Sequence, residues 1–231
     1  MAYRQGLLFD DGLRNWGGRR RGAGRKRLGR KRKVRHGRRK ALDGRFPFHV
    51  VWNVVENMLS LRKREIFEIL VRALERLREK RQDFRVIQFS IQASHIHFIV
   101  EADSKEALSR GMQGLGVSLA KGINRFFGRK GRVFDGRYFS RALRTPREVK
   151  SALVYVLQNF KKHGSGSRLS IDPISSGIWF DGWEGMIGQD GFEKGVEREN
   201  PLGRAETWLL REGWKRHGIV RALEGPKRRA S

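Results

Sequence analysis

The sequence predicts an α+β fold in which helices pack on one face of an antiparallel sheet. Two observations carry this prediction. Apolar residues alternate or run continuously in some segments and recur every three or four positions in others, which are the periodicities of strands and of helices. Along residues 46–163 these segments follow the order strand, helix, strand, strand, helix, strand, helix. That order is typical of a sheet covered by helices.

The first part of this region contains three predicted strands and one helix. The strands are residues 46–55, 84–92 and 95–101, and the amphipathic helix is residues 62–81. Ala93 and Ser94 are short enough to form a hairpin turn between the second and third strands. Pairing across that turn gives the facing pairs Ile91–Ile96, Phe89–Phe98, Ile87–Val100, Gln92–His95 and Ser90–His97. One face of this hairpin is then apolar throughout.

The second part contains a helix that begins at Ser104, a strand over residues 137–143 and a last helix. Glycines in the first of these helices indicate close packing or the approach of a ligand backbone. They are Gly111, Gly114, Gly116 and Gly122. The last helix starts with Thr145 at the cap and Glu148 at the third position. It extends to about His163, where Gly164 is a stop signal.

The charge of the chain indicates a polyanionic partner. Its 51 Lys and Arg residues against 24 Asp and Glu give a net charge of +27. Nucleic acid is the preferred partner, because neutralised phosphates release counterions, and a membrane surface is disfavoured since no strongly apolar amphipathic anchor is evident. The absence of cysteine excludes disulfides, thiolate metal sites and cysteine nucleophiles. No apolar run is long enough to span a membrane.

Composition divides the chain into three regions. Residues 1–45 form a basic arm that is expected to be disordered when free, with ten Arg and four Lys but no acid over residues 19–40. We favour non-specific DNA binding by this arm over a merely solvated tail. Residues 46–165 are the core. Residues 166–231 are a C-terminal extension whose aromatic stretches predict packing on the core.

A pair of histidines lies on the third predicted strand. His95 and His97 are two residues apart and therefore project from the same face, while Ile96 and Phe98 enter the core. Two imidazoles held side by side on a strand provide half of a divalent-metal site. The alternative is a hydrogen-bonded pair without a metal. A metal site needs a third ligand and a reactive group from elsewhere.

The last predicted helix supplies a candidate third ligand and a candidate reactive group. Tyr155 and Asn159 are four residues apart and share a helix face outside the apolar stripe. If this helix crosses the histidine face of the sheet, Asn159 offers a third ligand and Tyr155 a phenol beside a metal-bound phosphate. Tyr138 is a rival nucleophile, but it lies in an alternating strand and has no asparagine partner on a helix.

The segments SIQASHIHFIVEA and GRVFDGRYFSRALRTPREVKSALVYVLQNFKKHG resemble the HUH endonuclease superfamily. More narrowly, they are similar to the single-tyrosine transposases and their REP-associated branch, over residues 46–165. The resemblance implies a ferredoxin-like fold, metal binding by His95 and His97, and a helix motif with Tyr155 as nucleophile and Asn159 as its asparagine. Ser94 replaces the Asn that commonly precedes the histidines, and Phe160 replaces a Pro.

The resemblance also implies the reaction and its partners. Members of the family cut single-stranded DNA beside folded hairpins through a 5′-phosphotyrosine. The expected cofactor is a divalent metal, Mg or Mn, and the expected partner is hairpin-bearing single-stranded DNA. A monomer and a homodimer both stay open. A bacterial cytoplasmic, nucleoid-associated location is implied. Candidate phosphate contacts, with a solvated basic rim as the alternative, are Arg137, Arg141, Arg144, Lys161 and Lys162.

A protein without catalysis is the main alternative function. RNA-recognition sheets share this architecture and place aromatic residues on the open face, and a domesticated transposase binds DNA without cutting it. A structural protein of ribosomal type explains the charge but not the set of two histidines, tyrosine and asparagine. Because the predicted open face presents His95 and His97, the sequence favours the enzyme.

Overall fold

The computed structural model describes residues 44–163, 171–184 and 199–221. Within the first range, every predicted element is present. The strands are β1 (Phe48–Asn53), β2 (Phe84–Ile91), β3 (His95–Ala102) and β4 (Phe139–Ala142). The helices are α1 (Arg64–Lys80), α2 (Lys105–Phe126), α3 (Pro146–Gln158), α4 (Phe160–His163) and α5 (Trp208–Arg211). No helix in the three described ranges is both long and apolar enough to cross a membrane.

The four strands form one antiparallel sheet in the order β2-β3-β1-β4. Helices α1 and α2 pack on one face of it over the main apolar core. The predicted α+β, ferredoxin-like fold is thereby confirmed, but helices pack on both faces of the sheet rather than on one as predicted. A second apolar cluster lies where α3 packs on the other face, and it contains Ile87 and Ile99 from the sheet and Leu153 from α3. Helix α3 therefore lies on the face from which the histidines project.

The register of the β2–β3 hairpin agrees with the prediction near the turn and departs from it further away. Ile91 pairs with Ile96, Phe89 with Phe98 and Ser90 with His97 as predicted, and the Gln92 N–H donates to the carbonyl of His95 at 2.8 Å. The predicted Ile87–Val100 pair is wrong. An irregularity between Val86 and Gln88 places Val86 opposite Val100, because a bulge inserts one extra residue into a strand.

Helix α3 begins as predicted and ends earlier. The Glu148 N–H donates to Thr145 Oγ1, and the Thr145 N–H donates to the Glu148 carboxylate, both at 3.2 Å, which completes a capping box. The helix ends at Gln158 rather than at His163. Asn159 keeps helical backbone angles (φ −63°, ψ −28°), so the chain follows a helical path into α4. The predicted stop at Gly164 lies outside the described residues.

Two C-terminal segments cover the outer edge of β2. The Ile91 N–H donates to the carbonyl of Ile174 at 3.1 Å, and the Phe89 N–H donates to Ser176 Oγ at 2.8 Å. Further along the strand, the Gly203 N–H donates to the carbonyl of Val86 at 2.9 Å. These bonds satisfy backbone groups that an edge strand otherwise leaves open.

Buried carboxylates hold both segments in place. Asp172 is fully buried and accepts two hydrogen bonds from the Arg62 guanidinium at 2.9 and 2.8 Å. Glu101, also fully buried, accepts from the Glu206 N–H at 2.8 Å and from the Thr207 N–H and hydroxyl at 2.9 and 2.7 Å. Paired in this way, the two carboxylates meet the requirement that buried charge be hydrogen-bonded. The predicted basic arm, apart from residues 44 and 45, lies outside the described residues.

Close packing explains three of the four glycines that interrupt α2. A methyl group at Gly111 would lie 2.2 Å from the ring of Phe84, and one at Gly116 would lie 2.2 Å from the ring of Trp52. At Gly122 the nearest atom is a methyl of Ile69, at 2.5 Å. Among these four, only at Gly114 would an added methyl group meet no atom within 4 Å apart from its own helix backbone and chain neighbours.

This difference predicts opposite effects for the same substitution at two positions of one helix. Gly114→Ala should stabilise the protein by ~0.5–1 kcal/mol, since alanine loses less backbone entropy. Gly111→Ala should destabilise it by ~1–2 kcal/mol, because the added methyl overpacks the fully buried Phe84. Urea denaturation of both variants measures the free energies of unfolding. Equal stabilisation by both would show that the Phe84 ring moves aside freely.

Candidate active site

Three imidazoles form a row on the face of the sheet that α3 covers. His95 and His97 project together from β3, with Nε2 of one 2.9 Å from Nε2 of the other. His49 projects from the neighbouring strand β1, and its Nε2 lies 3.2 Å from Nδ1 of His97. His97 is almost completely buried, whereas His49 and His95 are half-buried. The central imidazole is therefore held from both sides.

His49 was not among the residues selected from the sequence. Its position in the predicted strand 46–55 places it on one face with Val51 and Asn53, but no local pattern reveals which strand lies beside it. Burial, and secondarily the positive charge of Arg141, lowers the pKa of His49 to about 4. His49 is accordingly a neutral imidazole near pH 7, able to accept or donate one hydrogen bond through Nε2.

Tyr155 is brought to the histidines by the packing of α3. Val149, Leu153 and Val156 are fully or almost fully buried and fix the orientation of the helix on the sheet. The half-buried Tyr155 ring then lies edge-on to two imidazoles, with centroids 5.2 Å from His97 and 5.8 Å from His49. The helix does cross the histidine face, which was the condition for a joint site.

Asn159 lies one helical turn beyond Tyr155 and is fully buried. Neither Oδ1 nor Nδ2 of its amide has a hydrogen-bond partner among the described residues. An unsatisfied buried polar group costs ~1–3 kcal/mol and requires an explanation. The structure therefore places a buried amide, with no partner among the described residues, one helical turn beyond Tyr155.

The donors fit a divalent metal in part. If two nitrogen atoms each lie ~2.1 Å from one ion and subtend a right angle at it, they are ~3.0 Å apart. The distance between Nε2 of His95 and Nε2 of His97 is 2.9 Å, which is close to that value. Across the described ranges, no group of three or more His, Cys, Asp or Glu side chains is arranged to hold a metal. The third ligand predicted from the sequence, the amide oxygen of Asn159, is buried and has no hydrogen-bond partner among the described residues.

Tyr138 lies on the other face of the sheet. It is 7% exposed and belongs to the core under α1 and α2, where its ring meets the Trp52 ring edge-on at 5.7 Å. This packing separates it from the three imidazoles.

The predicted phosphate contacts have different environments. Arg137, Arg141 and Arg144 are exposed. Arg141 pairs across β4 and β1 with His49, so it lies on the histidine face, and its Nη1 is 3.2 Å from the Glu148 carboxylate. Lys161 is half-buried, and this burial lowers its pKa. The side chain of Lys162 is outside the part of the molecule that the structure describes.

A sheet that presents paired histidines beneath a tyrosine borne on a helix is the arrangement expected of a tyrosine-dependent DNA strand-transfer enzyme. Residues 45–159 match the family described as IS200-like transposase. The core of this chain belongs to the IS200-like transposase family, and the protein is an enzyme of the tyrosine transposase kind. The predicted relation to the HUH endonucleases is confirmed by this match.

Solved structures are similar to this chain to different degrees, and the first of those described here shares its fold. A REP-associated tyrosine transposase bound to a REP hairpin is similar over 75% of this chain and 99% of its own, with 16% identity and a TM-score of 0.53. A bacterial tRNA-His guanylyltransferase-like protein in complex with GTP is similar over 54% of this chain and 66% of its own, with 13% identity and a TM-score of 0.40. A putative transposase from Deinococcus radiodurans R1 is similar over 58% of this chain and 99% of its own, with 12% identity and a TM-score of 0.36. No curated protein matches the sequence.

Proposed function

We propose that this transposase is a metal-dependent endonuclease and strand transferase for single-stranded DNA, with Tyr155 as its nucleophile. The observation that carries the proposal is the position of the Tyr155 ring, 5.2 Å from His97 and one helical turn before the buried, unpartnered amide of Asn159. A nucleophile beside candidate metal ligands is what phosphoryl transfer to tyrosine requires. Tyr138 packs in the core on the other face of the sheet, against Trp52.

His95, His97 and Asn159 are the proposed ligands of a divalent ion. Imidazole favours Mn over Mg by ligand type, whereas Mg is more available in cells. When bound, the ion supplies charge neutralisation at the non-bridging oxygens of the scissile phosphate. His49 keeps the ring of His97 in place through the 3.2 Å contact at Nδ1, which leaves Nε2 of His97 directed toward His95.

The proposed reaction exchanges one phosphodiester bond for another. The phenolate oxygen of Tyr155 forms a bond to phosphorus as the bond between phosphorus and the 3′ oxygen breaks. The phenol gives up its proton, and the departing 3′ oxygen takes up a proton to become a hydroxyl. The downstream strand is left attached to Tyr155 through its 5′ phosphate. Attack by a 3′-hydroxyl on this linkage reverses the exchange, so no ATP is required.

Hairpin-flanked single-stranded DNA is the proposed substrate. The structural neighbour is described as bound to a REP hairpin, and we place this chain with the REP-associated branch. The exposed Arg137, Arg141 and Arg144 on or beside β4 are proposed phosphate contacts, together with Lys161 and Lys162. We retain the division into a DNA-binding arm (1–45), a catalytic core (46–165) and a C-terminal extension (166–231), with action as a homodimer in the bacterial cytoplasm.

The test uses hairpin oligonucleotides with single-stranded flanks, labelled at the 5′ end in one set and at the 3′ end in the other. With Mg or Mn, we expect a slow-migrating protein–DNA band on a denaturing gel that carries the 3′ label and disappears in EDTA. A band carrying the 5′ label would contradict the 5′-phosphotyrosine. Tight binding without any adduct over a panel of hairpins would favour the non-catalytic nucleic-acid-binding protein.

A further inference from the structure

Phe139 is an exposed aromatic residue on a strand of the sheet. Its side chain is 54% exposed, although nearly all other large apolar side chains of the sheet are buried. It begins β4, a strand of four residues that pairs on one side with β1. Packing within the described residues gives no reason for an aromatic ring at this position, and exposed apolar surface is unfavourable in water.

The register of the sheet places Phe139 in line with the candidate active site. Phe139 pairs with Val51, and Val51 pairs with His97, so the three side chains form one cross-strand row on the histidine face. Two strand spacings separate the first from the last, about 10 Å, which is about the rise of three stacked nucleotides. Asn53, which pairs with His95 on the same face, is exposed. This end of the histidine face is therefore open to solvent.

Positive charge surrounds the ring. Arg141, two residues further along β4, projects from the same face as Phe139 and is exposed, as is Arg137 two residues before it. An aromatic ring between arginines matches a nucleic-acid strand, in which a base with a flat apolar face is linked to phosphates. Bases in a duplex are already stacked on each other, whereas unpaired bases are free to stack on a side chain.

We propose that Phe139 stacks on an unpaired nucleobase of the DNA strand whose scissile phosphate is at Tyr155, with Arg137 and Arg141 contacting the adjacent phosphates. This inference rests on the proposed function for the identity of the strand. It adds a nucleobase-binding position, about 10 Å from the histidines, that holds the flank in place while the hairpin is bound elsewhere.

The experiment measures binding in a Tyr155→Phe background, so that no cleavage interferes. The probes are a fluorescein-labelled hairpin with single-stranded flanks and the same hairpin with blunt ends. Phe139→Ala should weaken binding of the flanked hairpin by about 5- to 140-fold, as the loss of one stacked base does. Binding of the blunt hairpin should not change. Phe139→Trp should bind like the parent, whereas Phe139→Leu, which is apolar but cannot stack, should behave like Phe139→Ala.

A matched control is Phe126→Ala. Phe126 is 39% exposed, but it lies on α2, which packs on the opposite face of the sheet. This variant should bind both probes like the parent. A series of flanks with 2-aminopurine at successive positions should show quenching at one position, and Phe139→Ala should abolish it. Since Phe139 is exposed, we expect its variants to retain the parent melting temperature.

Several results would overturn the inference. They are unchanged binding by Phe139→Ala, equal losses for Phe139→Ala and Phe126→Ala, or full affinity in Phe139→Leu. A dimer that Phe139→Ala dissociates would instead assign the ring to an interface with a second copy. Failure of the proposed function is distinguishable, because wild-type protein would then form no adduct even where 2-aminopurine quenching depends on Phe139.

Discussion

Tyr155→Phe is expected to abolish the covalent protein–DNA adduct and to leave the fold and DNA binding intact. Removing the attacking atom should lower the rate of strand cleavage by at least about 10³-fold, as loss of a nucleophile does in other enzymes. The phenyl ring keeps the edge-on contacts with His97 and His49, so circular dichroism and the melting temperature should not change. The gel assay with 3′-labelled hairpin DNA measures the adduct, and fluorescence anisotropy measures binding.

Tyr138→Phe is the matched control for this experiment. It deletes one phenolic hydroxyl as well, but from a side chain packed against Trp52 on the other face of the sheet. The adduct should form at the parent rate, with at most a small loss of stability. Persistence of the adduct in Tyr155→Phe and its loss in Tyr138→Phe would move the nucleophile to the other face and contradict the proposed site.

Asn159→Leu is expected to change stability and activity in opposite directions. The buried amide makes no hydrogen bond to the residues that the structure describes, so an apolar side chain of similar size should raise the free energy of unfolding by about 1 kcal/mol. Loss of a metal ligand should lower adduct formation by more than the ~10- to 100-fold that losing a ligand's hydrogen-bond partner costs. Urea denaturation in EDTA and the adduct assay over a range of Mn concentrations measure the two effects.

Gln158→Leu provides the comparison. Gln158 is the preceding residue and equally buried, but its Nε2 donates to the carbonyl of Arg221 at 3.4 Å, a C-terminal contact unconnected with the histidines. Its replacement should leave the metal dependence of the adduct unchanged. Should Asn159→Leu destabilise the protein and keep the parent response to Mn, Asn159 would be a structural residue and the ligand set would be incomplete.

Local signals in the sequence were sufficient for most of the fold. Strand alternation placed His95 and His97 on one face, and the Thr145–Glu148 capping box located the start of α3. A spacing of four residues placed Tyr155 and Asn159 on one side of a helix. Each of these inferences depends on residues that are neighbours in sequence, for which the geometry of a strand or helix is known in advance.

The features that could not be predicted from the sequence depend on contacts between segments that are distant along the chain. The position of His49 beside His97 follows from the pairing of β1 with β3, and its neutrality follows from burial under α3. The bulge after Val86 has no residue signature in the strand, and it shifted the predicted pairing of Ile87. The exposure of Phe139 was equally invisible, because a phenylalanine in an alternating strand predicts burial.

The covered edge of β2 also limits how the catalytic core can be isolated. The family match ends at residue 159, which suggests a minimal fragment ending near residue 165. Such a fragment would lose the partners of Ile91, Phe89 and Val86 along the strand edge, and Arg62 would lose its carboxylate. An uncovered edge strand invites pairing with other chains. We therefore expect a chain that ends near residue 165 to aggregate more readily than one that extends through residue 221.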